Sequence, residues 1–95
     1  MTEKQRPTAF DWREENEADH VARHGIPFGI ASAVFLDPRR IETEDMRKDY
    51  GEQRWNTVGL VDGVCLNVTF AMVAETAWII SARTAHRKER TRYGA

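Results

Sequence analysis

Cysteine, long apolar runs and clustered glycine are what this chain has least of, and each scarcity closes off a class of function. The single cysteine, Cys65, excludes an intrachain disulfide and a multi-cysteine zinc site. It is either a reactive thiol or a small buried hydrophobe, the commoner state of a free cysteine. No stretch approaches the ~20 apolar residues that a membrane span needs. The opening MTEKQRPT lacks the apolar segment of a signal peptide, so a cytosolic protein is expected. Gly25, Gly51, Gly59 and Gly63 stand singly, as turn residues do, and no phosphate-cradling glycine loop is present. No repeat or low-complexity tract appears. A chain of 95 residues has room for one domain with one small core.

Charge is unevenly placed. The last 17 residues, from Ile79, carry Arg83, Arg87, Lys88, Arg90 and Arg92 against the single acid Glu89, a local balance of +4. The whole chain sums to −1, so the remainder carries −5. Such asymmetry implies a polyanion or an acidic protein as partner of the basic end.

The pattern predicts an α+β fold in the order β-α-α-β-β-β-α. Residues 1–8 read as a loose lead-in and 9–95 as the domain. Phe10 to Trp12 alternates like a short edge strand, and Asp11 with Glu14 has the spacing of a capping box. A first helix then runs to His24, where Gly25 supplies a left-handed cap. Pro27 suits the first turn of a second helix, whose Phe28, Ala31, Val34 and Phe35 share one face until Asp37-Pro38 ends it. Residues 39–52 show no clean period and read as a loop, with room for a short strand around Ile41. Trp55 to Val61 and Val64 to Ala71 flank Asp62-Gly63, a hairpin signal. A two-residue turn pairs Gly59 with Leu66. A three-residue loop pairs Leu60 with Val64 and gathers Val58, Leu60, Val64, Leu66, Val68 and Phe70 on one face, and is the preferred register. Ala77 to Ala82 is a third long strand, and Thr84 to Tyr93 a closing basic helix. Three or four antiparallel strands, with two helices over one face, are expected.

The chemistry must come from cations and a few titratable neighbours. His20 and His24 lie four apart on one helix but have no evident third ligand, so no metal and no cofactor is expected. Arg23, His24, Glu52, Arg54, Arg83, His86, Arg87, Arg90 and Tyr93 form an inventory suited to RNA cleavage without a metal. The ribose 2′-hydroxyl is the nucleophile, and the protein deprotonates it, holds the phosphate and protonates the leaving oxygen. Placed proton-transfer groups contribute ~10²–10⁴-fold, and guanidinium groups stabilise phosphoryl charge bidentately. Trp55 or Tyr50 is available to stack a base. Structural roles compete: Glu52 and Arg54 suit a plain ion pair, and a basic terminal helix suits partner docking.

Phe10-x-Trp12, Arg23-His24-Gly25, Phe28, Phe35-x-Asp37-Pro38, Tyr50-Gly51-Glu52-x-Arg54, Gly59, Ile79-Ile80-Ser81-Ala82-Arg83-x-Ala85 and Glu89-Arg90-x-x-Tyr93 occur in one order from Phe10 to Tyr93. In that order the chain resembles BrnT toxins of type II toxin–antitoxin systems. The resemblance implies a RelE-like fold and RNA cleavage that arrests growth. It also implies a hetero-oligomer with a BrnA-like ribbon-helix-helix antitoxin, through which alone operator DNA is bound. By matching position it carries over His24, Glu52, Arg54, Arg83 and Arg90. Arg54 and Arg83 are expected to converge on one phosphate-sized pocket, with Glu52, His24 or His86 moving protons. Four features depart from the family. Many relatives have Lys at the place of Asn16, Asn at that of His20, a Thr-x-Arg pattern at Ala71-Met72-Val73, and Arg at that of Trp78. Two phosphate-binding arginines are therefore absent, which leaves open a weakened toxin whose task is to bind its antitoxin.

Overall fold

The computed structural model describes residues 4–94 as a five-stranded sheet with helices on both faces. The elements are β1 (Ala9–Trp12), α1 (Glu14–His24), α2 (Phe28–Ala31) running into a 3-10 turn (Ser32–Leu36), β2 (Ile41–Glu44), β3 (Trp55–Val61), β4 (Val64–Val73), β5 (Thr76–Thr84) and α3 (Arg87–Tyr93). The strands lie in the order β1-β5-β4-β3-β2. The sheet has more strands than expected and is mixed, because β1 pairs with β5 in parallel. The α+β class stands.

β2 hides from periodicity because the residue it buries is a charge. Arg40 and the side chain of Glu42 are buried together as an ion pair. Arg40 also donates to Thr57 Oγ1 at 3.0 Å and to the Gln5 carbonyl, and lies over the Phe35 ring. Gln5 N in turn donates to Glu42, and Thr8 N donates to the Glu75 carbonyl. The lead-in expected to be loose is thus tied down from Lys4 onward, while residues 1–3 lie outside the described residues.

The central hairpin takes the two-residue turn, overturning the preferred register. Val61 pairs with Val64 and Gly59 with Leu66. Asp62 (φ 49°) and Gly63 (φ 80°) both have positive φ, as a type I′ turn requires. The three-residue reading gathered the apolar residues on one face, yet β4 is buried on both, from Cys65 through Ala71. Leu66, Val68, Ile79 and Ala82 meet Phe28, Ala31 and Val34 on one side, while Val58 and Cys65 meet Ala85 and Tyr93 on the other. Gly59 explains the choice. A Cβ there would stand 3.0 Å from Val34 Cγ2 and 3.0 Å from Arg40 Cβ, so glycine lets the 3-10 turn approach β3 where a side chain would push these neighbours back by a few tenths of an ångström.

Three local expectations change as well. Arg13, not Asp11, caps α1, and no side chain closes the cap. The second helix tightens to 3-10 after Ala31 but buries the predicted face. β5 continues to Thr84 and α3 begins only at Arg87. A bulge opposite Thr69 and Phe70 sets Ile80 outside the ladder. Ala74, in the β4–β5 turn, has φ 52°. A left-handed alanine costs about 1 kcal/mol or more, partly offset by the unfolded-state entropy of glycine. Ala74→Gly is therefore expected to raise the thermal midpoint by a few degrees; a lower midpoint in calorimetry would show that the turn is not strained.

Candidate functional site

Strand alternation places the chemistry on the sheet face opposite α2. Asn56 and Val58 of β3, Asn67, Thr69 and Ala71 of β4, and Trp78 and Arg83 of β5 all point that way. Arg54 extends the ladder by one residue, its carbonyl accepting from Asp45 N at 2.7 Å. Two cavities open on this face. One, about 280 Å³, lies between the Asp45–Arg47 segment and α3, with Val58, Asn67 and Arg83 in its lining. The other, about 320 Å³, is lined by Arg13, Asn16, Glu52, Arg54, Val73 and Trp78 among others.

Arg54 and Arg83 therefore share a face but not a pocket. By register Arg83 stands opposite Asn67, and Arg54 falls in line with Ala71, four residues along β4 and two strands across. At ~3.3 Å per residue and ~4.8 Å per strand the Cα separation is roughly 16 Å. The expected convergence on one phosphate is corrected accordingly.

Arg83 is held by Glu89. Its Nη1 and Nη2 donate to Oε1 and Oε2 at 2.8 and 2.9 Å, a fork-to-fork pair. Asn67 Nδ2 donates to the same carboxylate at 2.7 Å, and His86 N donates at 2.7 Å from the start of α3. The Arg83 hydrogen bonds, more than offsetting burial, pull the Glu89 carboxyl down to about 2 from 4.5. A carboxylate depressed on folding stabilises the fold above its unfolded value and loses that contribution as pH falls through its folded value. The urea midpoint is expected to hold above pH 4.5 and to fall between there and about pH 2. In Glu89→Gln the acid-side fall should shrink; an unchanged profile would remove Glu89 from the account.

Arg54 is held differently. Its Nε donates to Glu52 Oε2 at 3.0 Å, and its guanidinium lies 4.2 Å from the Tyr50 ring centroid. Tyr50 donates its hydroxyl to buried Asp45 at 3.1 Å. Asp45 also accepts Arg47 Nε and Nη2, and those bonds hold its carboxyl well below the usual range despite burial. Glu52 and Arg54 are thus brought together with Arg13, a cation that makes no ion pair among the described residues.

The other predicted residues scatter. His24 is exposed, stacks on His20 and lines neither cavity. Arg23 pairs with Asp19 at 2.6 Å on the outside of α1. His86 starts α3 in a capping box with Glu89. Arg87 is exposed, and Arg90 donates to the Ala85 carbonyl at 2.7 Å. Trp55 and Tyr93 are corrected outright, since each is only 8% exposed. Trp55 stacks on Phe70 and the Tyr93 hydroxyl donates to Asp37, so neither offers a ring to a base. Sequence reasoning missed Arg13, Asn67, Arg92 and the anchoring role of Glu89. Only the hairpin register and the strand-to-helix crossing bring these to the two cavities.

Among the described residues no group of three or more His, Cys, Asp and Glu is placed to hold a metal ion, and no helix is long and apolar enough to cross a membrane. Residues 12–89 match the family model described as the ribonuclease toxin, BrnT, of type II toxin–antitoxin systems. No curated protein matches the chain.

Proposed function

The chain belongs to the BrnT family of type II ribonuclease toxins, and from that premise we propose that it cleaves RNA without a metal ion in the groove of Arg13, Glu52 and Arg54. The observation that carries the reading is the side-by-side placement of a carboxylate and two guanidinium groups in one open groove. Glu52 takes the proton of the ribose 2′-hydroxyl, whose oxygen attacks the adjacent phosphorus. Arg54, with Nε spent on Glu52, turns its two Nη groups to the non-bridging oxygens, and Arg13 adds a second cation. The bond to the 5′-oxygen breaks, leaving a cyclic 2′,3′-phosphate. No histidine lines this groove, so water protonates the leaving oxygen. Forgoing a placed acid costs ~10²–10⁴ in rate, and the enzyme is a slow one. Arg83 serves a flanking nucleotide on the same face. The fold kinship is to RelE ribonucleases, and the partner of a type II toxin is its antitoxin, here of the BrnA-like ribbon-helix-helix type.

One observation favours a second reading, an antitoxin-binding module with little nuclease activity. Asn16, Ala71, Val73 and Trp78, where many relatives carry Lys, Thr-x-Arg and Arg, line the same groove as Glu52 and Arg54. Three of the four departures thus fall on one site and strip it of positive charge, while His20 lies outside it. The deciding experiment incubates purified chain with unstructured RNA in EDTA. Slow cleavage that rises in the Val73→Arg, Trp78→Arg double variant supports the enzyme. No cleavage by either protein, with tight co-purification of the antitoxin, leaves the binding module.

A further inference from the structure

The 280 Å³ cavity beside Arg83 lies beyond the reaction groove and has its own polar fixtures. Asn67 is 95% buried, with 5% of its surface exposed, and lines the cavity. Its amide nitrogen donates to Glu89 at 2.7 Å. A carboxylate held by Arg83 accepts and does not donate, so the carboxamide cannot flip and its carbonyl oxygen is left for the cavity. That oxygen accepts no hydrogen bond among the described residues and keeps some accessible surface, so it is open to a ligand in the cavity. Across the floor, Asn56 accepts the Thr69 hydroxyl at 2.6 Å, which leaves its own amide nitrogen for the cavity.

The remaining walls mix apolar and cationic groups with two carboxylates, Asp45, which Arg47 neutralises, and Glu44, which accepts from Gln53. Val58 lines the floor, and Met46, 76% exposed, stands at the rim. Arg92 lines the cavity with no ion-pair partner among the described residues. Fixed polar groups that meet a planar edge, apolar atoms that meet its face and a cation for a neighbouring phosphate are what an unpaired nucleobase needs. The volume is at the lower end for ligand pockets and suits a single ring system.

Resting on the ribonuclease reading above, we propose that this cavity is a subsite for one unpaired base of the RNA, flanking the cut. Asn67 and Asn56 read its edge, Val58 and Met46 hold its face, and Arg92 takes the adjoining phosphate. Bases differ in where their edges place donors and acceptors, so a rigid acceptor and donor discriminate among them.

The test uses labelled 2′-O-methyl octamers of A, C, G and U, whose blocked 2′-oxygens cannot attack phosphorus. The native chain is expected to bind one of the four about tenfold more tightly than the weakest. Asn67→Ala should bring all four within about twofold, while Met46→Ala weakens all four severalfold and keeps their order. Equal binding of the four by the native chain, or a preference that survives Asn67→Ala, overturns the subsite. So does failure to bind any octamer when an acidic octapeptide binds in its place, which makes the cavity a protein site. Should Asn67→Ala not fold, exposed Met46 carries the test, and unchanged affinity in Met46→Ala overturns the proposal. Intact unmodified RNA in a parallel incubation sinks the ribonuclease reading alone. Cleavage without base preference sinks the subsite alone.

Discussion

Arg54→Ala is expected to lower the rate of RNA cleavage by about 10²–10³-fold, the usual cost of removing one preorganised donor from a developing oxyanion. The loss should fall on kcat, because the charge that Arg54 meets grows as the 2′-oxygen attacks. Stability should barely move, since the Glu52 pair is partly exposed and surface pairs of that kind contribute little. Arg54→Lys keeps the charge but loses the planar fork and the stack on Tyr50, so it should recover only part of the rate. Arg83→Ala should read differently. Its guanidinium is committed to Glu89, and its Cα stands roughly 16 Å from that of Arg54, so the change should raise KM and lower stability more than it lowers kcat. Single-turnover cleavage with a defined oligonucleotide separates these patterns. An Arg54→Ala protein as fast as the native chain would end the groove's claim to the chemistry.

What was legible in the sequence follows from how local each signal is. Gly25 and Pro27 bracket a turn between helices by their own φ preferences; Gly25 caps α1 as read, while Pro27 stands one position before the helix it was read to open, as its extended N-cap. Asp62-Gly63 announced a hairpin for the same reason. Its register was not legible, because Gly59 is chosen by contacts with Val34 and Arg40, more than 15 positions away. β2 was obscured when a buried Glu42 broke the hydrophobic alternation that marks a strand. The candidate site divides along the same line. Glu52 and Arg54 are two apart and meet wherever the chain runs extended. Arg83, Asn67 and Glu89 lie on β5, β4 and α3, so their meeting depends on the bulge at Ile80 and on the angle at which α3 returns. The family resemblance joined Arg83 to Arg54; the return of α3 over the sheet gives it to Glu89.

Arg40→Met is expected to be the most destabilising single change in the chain, at about 3–5 kcal/mol. Against a total of about 5–15 kcal/mol for a domain of this size, that is a large share. The Arg40 and Glu42 side chains are only 6% and 3% exposed, so neither has water to fall back on. Removing the guanidinium leaves Glu42 with the Gln5 amide as its remaining donor, and leaves the Thr57 hydroxyl and the Gln5 carbonyl without theirs. Methionine still covers Phe35, so the loss is electrostatic and not one of volume. Burying a charge pair is itself costly, and the sign of the effect therefore reverses when both partners go. Arg40→Met with Glu42→Leu should recover most of the lost stability. Urea denaturation of the two single variants and the double variant closes the cycle. A single variant within 1 kcal/mol of the native chain would mean that Glu42 finds water on losing its partner, and that β2 is held to β3 by its backbone ladder alone.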